Sequence, residues 1–282
     1  MSNVSDGNAE AEDGNTVNAG GSVRAVWRVA RGAGAIVAVL IVWEVIVRVF
    51  HVPDYLLPPP TQIFARMVAE RELLIQYMYV TLAETVLGFA LAVSLGVAAA
   101  ILVTTSERIK DVVMPLIVVT QLVPKVAIAP LILIWFGYGI PSKIVMAFLI
   151  AFFPIVIDMI AGLTMVEKEL VDLLRSLGAS RWKIFVKAQI PNSLPFLFSG
   201  MRISITLAII GAIVGEFVGG SSGLGYLIVV ATSQLKTELV FASLVVLTIV
   251  GFALFTIVGM AERFFIPWSS RERDELLVVT GM

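Results

Sequence analysis

The sequence predicts an all-α polytopic membrane protein with six transmembrane helices. Three observations carry that expectation. Of the 282 residues, 59% are hydrophobic and only 15% charged, with a mean hydropathy of +0.96, which leaves too little polar surface for a soluble domain of this length. The apolar residues gather in runs long enough to cross about 30 Å of hydrocarbon at 1.5 Å per residue. Lys and Arg concentrate in alternate connections between those runs. Other classes recede on the same grounds. A net charge of −1 argues against nucleic-acid binding. With no Cys and one His, His51, the chain has no thiolate chemistry and little scope for a metal site. No cofactor is expected.

Residues 1–22, rich in Asn, Gly, Ser, Asp and Glu, read as a disordered tail. Arg24, Arg28 and Arg31 then precede an uncleaved first span at 32–50, with Glu44 and Arg48 spaced for an i,i+4 pair. Residues 23–60 hold this span and an outer connection. Residues 61–77 have helical periodicity and are expected to lie as one helix along the outer interface. Spans follow at 79–104, 111–136, 143–162, 193–217 and 238–262, so that 61–268 forms the main transmembrane domain and 269–282 a tail. The third span contains Pro115, Pro124 and Pro130 and should be kinked or locally unwound. With the N-terminus inside, thirteen Lys and Arg fall in cytoplasmic segments, against Arg66, Arg71, Lys143 and Lys236 outside. Both termini are therefore expected in the cytoplasm.

The loop at 163–192 is then the longest cytoplasmic one. Thr164 and Glu167 have capping-box spacing. The helix they would start carries acids early and Arg175 late, as the macrodipole favours. Gly178 should end it in the left-handed conformation, Ser180 should cap a second helix over 181–190, and Pro191 should end that helix. On it Trp182, Phe185, Val186 and Ile190 share one side, with Arg181, Lys183 and Lys187 largely elsewhere. An interfacial helix and a docking element for a cytoplasmic partner both fit this pattern.

The loop resembles the EAA loop of binding-protein-dependent ABC importer permeases. There a Glu-Ala-Ala triplet is followed three residues later by Gly and, further on, by Ile-x-Leu-Pro. Asp172-Leu173-Leu174 stands at the triplet, Gly178 at the glycine, Ala188 at the Ile and Ile190-Pro191 at Leu-Pro. VPKVAIAPLILIWFGYG (123–139), FFPIVIDMIAGL (152–163), LPFLFSGMRI (194–203) and GEFVGGSSGLGYLI (215–228) are similar to the nitrate, sulfonate and taurine branch, which includes importers of thiamine-precursor pyrimidines and riboflavin. The wording leans to the latter two. The resemblance implies a MetI-like type I fold in the bacterial inner membrane, a second permease subunit (a homodimer), two ATPase subunits and an external solute-binding protein. It also makes 181–190 the coupling helix. Asp172, Leu177, Gly178, Ala179, Ser180, Trp182, Phe185, Ile190 and Pro191 would then form the ATPase contact.

Ionisable residues within spans are functional candidates. Lys125, beside Pro124, either faces the translocation path or satisfies carbonyls freed by the prolines. Asp158 and Arg202 are expected to form an interhelical ion pair with a secondary gating role. Glu84 and Glu216 are placed near water at outer ends, with an outer-gate role for Glu216 beside the glycine-rich loop. GGSSGLG (219–225) lacks the Gly-Lys-Ser/Thr ending of a phosphate loop, and no Walker motif occurs. Any ATP must be hydrolysed by another chain. The competing reading is a self-contained secondary transporter with Lys125, Asp158 and Arg202 as a relay.

Overall fold

The computed structural model describes residues 16–268; residues 1–15 and the tail at 269–282 lie outside them. Two compact units divide between Ala65 and Arg66. In the first, α1 (Thr16–Val49) begins inside the stretch expected as a tail. Most of its described apolar side chains, such as Ile36 and Val39, are exposed, while Val47 is buried. Glu44 and Arg48 form the expected pair at 2.6 Å. Glu44 also accepts from the Thr61 backbone N–H at 3.1 Å and its hydroxyl at 2.8 Å. The pair thus caps the first turn of α2 (Pro60–Ala69).

The helix expected over 61–77 is divided. α2 stops at Ala69, Glu70 leaves helical geometry, and α3 (Arg71–Thr104) starts at once. The second span is therefore longer at its start than the apolar run suggests. α4 (Glu107–Leu122) follows, then a 3₁₀ turn (Lys125–Ile128) and α5 (Ala129–Phe136). This is the expected broken span, bent by 80°. Only one of its three prolines breaks it. Val123 is extended (φ −67°, ψ 124°) because Pro124 excludes its predecessor from the helical region. Pro115 stays inside α4 and Pro130 sits in the first turn of α5, where no donor is missed.

α6 (Ile140–Thr164), α9 (Ile190–Gly219) and α11 (Thr237–Phe265) supply the remaining spans. Among the described residues, four helices are long and apolar enough to cross a membrane, or five with the bent pair counted as one span. α6 is the central helix, packed against α3 and α9. The contact is made by small residues, which let backbones approach where lipid supplies no hydrophobic drive between helices. Ala92, Ala147, Ala151, Ala208 and Ala212 are buried together around Ile155. A Cβ on Gly162 would stand 2.6 Å from the Ser193 Cα, so α6 and α9 touch backbone to backbone.

Two local expectations in the loop between α6 and α9 are corrected. No capping box forms: α6 runs through Thr164, whose hydroxyl donates back to the Ile160 carbonyl at 2.9 Å. α7 (Lys168–Ser176) has Glu167 at its N-cap without a side-chain bond. Nor does Pro191 end the second helix. α8 (Arg181–Ile184) passes through a wider π-turn (Phe185–Gln189) into α9, giving a continuous stretch of 39 residues. In the wide turn the Ile190 N–H donates to the Phe185 carbonyl, and the helix continues past Pro191, which has no N–H to give.

Candidate functional site

The α7–α8 corner is built by its glycine. Gly178 has φ +76°, and its N–H donates to the Arg175 carbonyl while that of Ala179 donates to Leu174, both at 2.9 Å. This is a Schellman closure. Ser180 then caps α8 by accepting from the Lys183 N–H at 3.3 Å. A tight corner results, and it displays its apolar side chains. Leu173, Leu177 and Trp182 are exposed, Trp182 at 70%. Phe185 behaves differently: its ring lies 5.7 Å from that of Trp182 but packs, with Ile190, against the core of α3 and α6. It props the tryptophan from within. Val186 is exposed and Ala188 buried. Asp172 is exposed and pairs with Arg175 at 3.4 Å.

The charged residues of the spans fall into separate places. Lys125 sits at the break after α4, half-buried, its ammonium 4.8 Å from the centre of the Phe153 ring. The expected Asp158–Arg202 pair does not form. Arg202 instead meets Glu262 of α11 at 2.7 Å, and its guanidinium lies over the Phe255 ring. Asp158 lies against Gly200, half-buried. Among the described residues no ion pair joins Lys125, Asp158 and Arg202, so a relay through them is not assembled.

At the opposite end of the bundle from α8, the placement of Glu84 and Glu216 near water is overturned. Both are buried, as is Lys143, which belongs to the first turn of α6 and not to a loop. Lys143 lies 3.1 Å from Glu84 and donates to the Ser222 carbonyl at 3.2 Å. Glu216 accepts from the Thr81 hydroxyl at 2.6 Å and from the Gly225 N–H, while the Thr81 oxygen accepts from the Leu224 N–H at 2.8 Å. The glycine-rich turn, followed by α10 (Leu224–Ser233), is therefore a cradle for a carboxylate of its own chain. A Cβ at Gly223 or Gly225 would run into the Glu216 side chain. Lys143, Glu84, Thr81 and Glu262 were not among the residues singled out for a site. The signal available was charge within apolar runs, but their pairing spans up to 143 positions and has no local period. Lys143→Met is expected to lower the stability of the fold by about 3–5 kcal/mol by leaving buried carboxylate charge uncompensated, read as a fall in the thermal midpoint of the detergent-solubilised protein.

Apolar helices of spanning length, packed through small residues, with one broken span and a capped two-helix excursion, define a multi-pass membrane protein. Residues 92–270 match the family described as binding-protein-dependent transport system inner membrane component. The chain belongs to that family and is an ABC importer permease subunit. It is 38% identical to a probable ABC transporter permease of Haemophilus influenzae, covering 82% of this chain and 94% of that one. Identity is 35% to the formylaminopyrimidine transport permease of Halalkalibacterium halodurans, over 83% and 93%. It is 33% to the riboflavin transport system permease of Chloroflexus aurantiacus, over 82% and 87%. A solved structure of the MetNI methionine ABC transporter in inward-facing conformations shares the fold, with a TM-score of 0.59, 19% identity, and coverage of 69% of this chain and 97% of that one. The three relatives named by sequence are permeases, and the family implies an ATPase subunit and a binding protein as partners.

Proposed function

We propose that this permease works as a homodimer with two ATPase subunits and an extracytoplasmic binding protein, importing a small heteroaromatic solute across the bacterial inner membrane. Both termini, and the α7–α8 corner with them, face the cytoplasm, as the distribution of Lys and Arg favours. The observation that carries the coupling role is the exposed apolar face of that corner, where Leu173, Leu177 and Trp182 stand open to solvent on a backbone fixed by the Gly178 closure. Exposed apolar patches rimmed by charge mark docking surfaces. Here Asp172, Arg175, Arg181 and Lys183 form the rim, all exposed. Asp172, Leu177, Gly178, Ala179, Ser180 and Trp182 form the ATPase contact, with Phe185, Ile190 and Pro191 transmitting its displacement into α9. Because α8 and α9 are one continuous helical stretch, a push on Trp182 moves the span itself.

Lys125, at the break of the α4–α5 span, lines the path and attracts carbonyl or anionic groups of the solute. Asp158 and Arg202 gate it from the α8 end, and Glu216 holds the opposite end. The solute is a thiamine-precursor pyrimidine of the formylaminopyrimidine kind, with riboflavin the second candidate; the sequence segments at 123–139 and 152–163 and the two named relatives support this choice. The test is uptake into proteoliposomes holding the permease, its ATPase and its binding protein. Uptake of labelled formylaminopyrimidine is expected only with all components and ATP. Accumulation that persists without the ATPase would overturn the importer mechanism, and uptake of sulfonates instead would overturn the choice of solute.

A further inference from the structure

The buried cluster at the α10 end does not balance its charge as drawn. Glu84, Glu216 and Lys143 are 0%, 1% and 2% exposed, and they bring two carboxyl groups to one ammonium. Among the described residues no other ion pair reaches these groups, and their hydrogen-bond partners are Thr81 and the backbone of 222–225. An unbalanced charge in such a place is very costly. The two acids are also unequal. Glu216 accepts through both oxygens, from Thr81 and from Gly225, the pattern of an ionised, acceptor-only group. Glu84 as a bare carboxylate has the Lys143 ammonium at 3.1 Å and no further donor for either oxygen, and the Thr85 hydroxyl beside it in sequence is likewise unsatisfied. Yet the carboxyls of Glu84 and Glu216 interact with each other and with the one Lys143 ammonium.

We infer that the cluster is a proton-binding site: a resident proton sits on Glu84 and is donated to the ionised Glu216. The assembly then holds one ammonium, one carboxylate and one neutral acid, and its net charge is zero. Glu84 gains a role as donor, which it lacks as a carboxylate. The proton joins α3 to α9 at the point where Lys143 of α6 and the glycine-rich turn already meet them. Four segments are pinned by a group that contributes no excess charge. The glycines of the turn follow from the same arrangement, since they admit the Glu216 carboxylate that receives the proton.

The test uses the full-length permease assembled with its ATPase in lipid nanodiscs, and infrared spectroscopy, which needs no substrate and so stands apart from the choice of solute. A protonated-carboxyl C=O band that shifts in D₂O is expected in the wild type and missing in Glu84→Gln. Uptake separates the two acids. Glu84→Gln replaces a neutral donor by a neutral donor and should keep transport within about twofold of wild type. Glu216→Gln turns an amide N–H₂ toward one of the two donors, Thr81 or Gly225, and should lower the yield of folded permease by about tenfold or more. No band lost in Glu84→Gln would overturn the proposal. So would sensitivity of stability to Na⁺ against choline, with no protonated-acid band, which would place a metal cation where the proton is assigned. Should Glu84→Gln fail to fold, Glu84→Asp in the same spectrum decides: a shifted acid band supports the site and an absent one overturns it.

Discussion

Trp182→Glu is expected to leave the permease inserted and folded while weakening its complex with the ATPase by about 30-fold or more. The two halves of that expectation rest on different observations. Within the chain Trp182 is 70% exposed, and among the described residues its ring contact is with Phe185, whose own packing is against the core of α3 and α6. Little of the permease's stability is therefore at stake. In the complex, a large aromatic at the centre of an apolar patch is the kind of residue that dominates an interface, with truncation costs of about 2–4 kcal/mol. A carboxylate in its place adds desolvation of a charge. Neighbouring cations at the rim count for less, so Lys183→Glu should change affinity by about fivefold at most. The measurement is ATPase affinity for the permease in nanodiscs, with membrane yield as the control. Unchanged affinity in Trp182→Glu would remove α8 from the coupling surface, even if uptake fell for another reason.

How much of this was legible in the sequence depends on the range over which each feature is decided. The Gly178 corner, the Ser180 cap, the Glu44–Arg48 pair and the break at Pro124 all follow from residues within five positions of one another, and the structure has each of them. The capping box at Thr164 and the stop at Pro191 were equally local and fail, because tertiary packing decides both. Leu163 is buried, so extending α6 past it completes a core contact, and Thr164 is carried along as helix. Pro191 begins a span whose next turns are buried against α6, through Ser193 and Gly162, and a widened turn costs less than losing that contact. Arg202 illustrates the remaining gap. Two carboxylates lay at comparable depth, Asp158 and Glu262, and nothing in spacing ranks them. The choice was made by α11 packing beside α9, where Val258 joins Phe198 and Ile205 in one buried cluster. The polar cluster at the α10 end has the same origin, its members drawn from α3, α6 and α9.

The crossing at Ala147 offers a sharper test of that tertiary control, because it distinguishes side-chain from backbone contact. Gly88 of α3 and Gly211 of α9 both pack against this one residue of α6. A Cβ on Gly88 would meet the Ala147 Cβ at 2.5 Å, with the Ile144 carbonyl and the Phe148 nitrogen at 2.9 and 3.0 Å. A Cβ on Gly211 would meet the Ala147 Cα at 2.6 Å and the Met146 carbonyl at 2.7 Å, so it collides with backbone. Both Gly→Ala variants should be destabilised, by about 1–3 kcal/mol, since the helices must separate in a region that tolerates no void. Only one of them can be rescued. Ala147→Gly removes the atom nearest Gly88 and should restore part of the stability lost in Gly88→Ala. It removes nothing that Gly211→Ala strikes, and the double variant should be no more stable than Gly211→Ala alone. Ile210→Leu, on the exposed side of the same helix, should leave the melting temperature within a degree or two of wild type. A double-mutant cycle on thermal midpoints reads all of this. Equal rescue of both glycines would mean that α9 approaches α6 through side chains, and the backbone contact that places Ser193 against Gly162 would have to be abandoned with it.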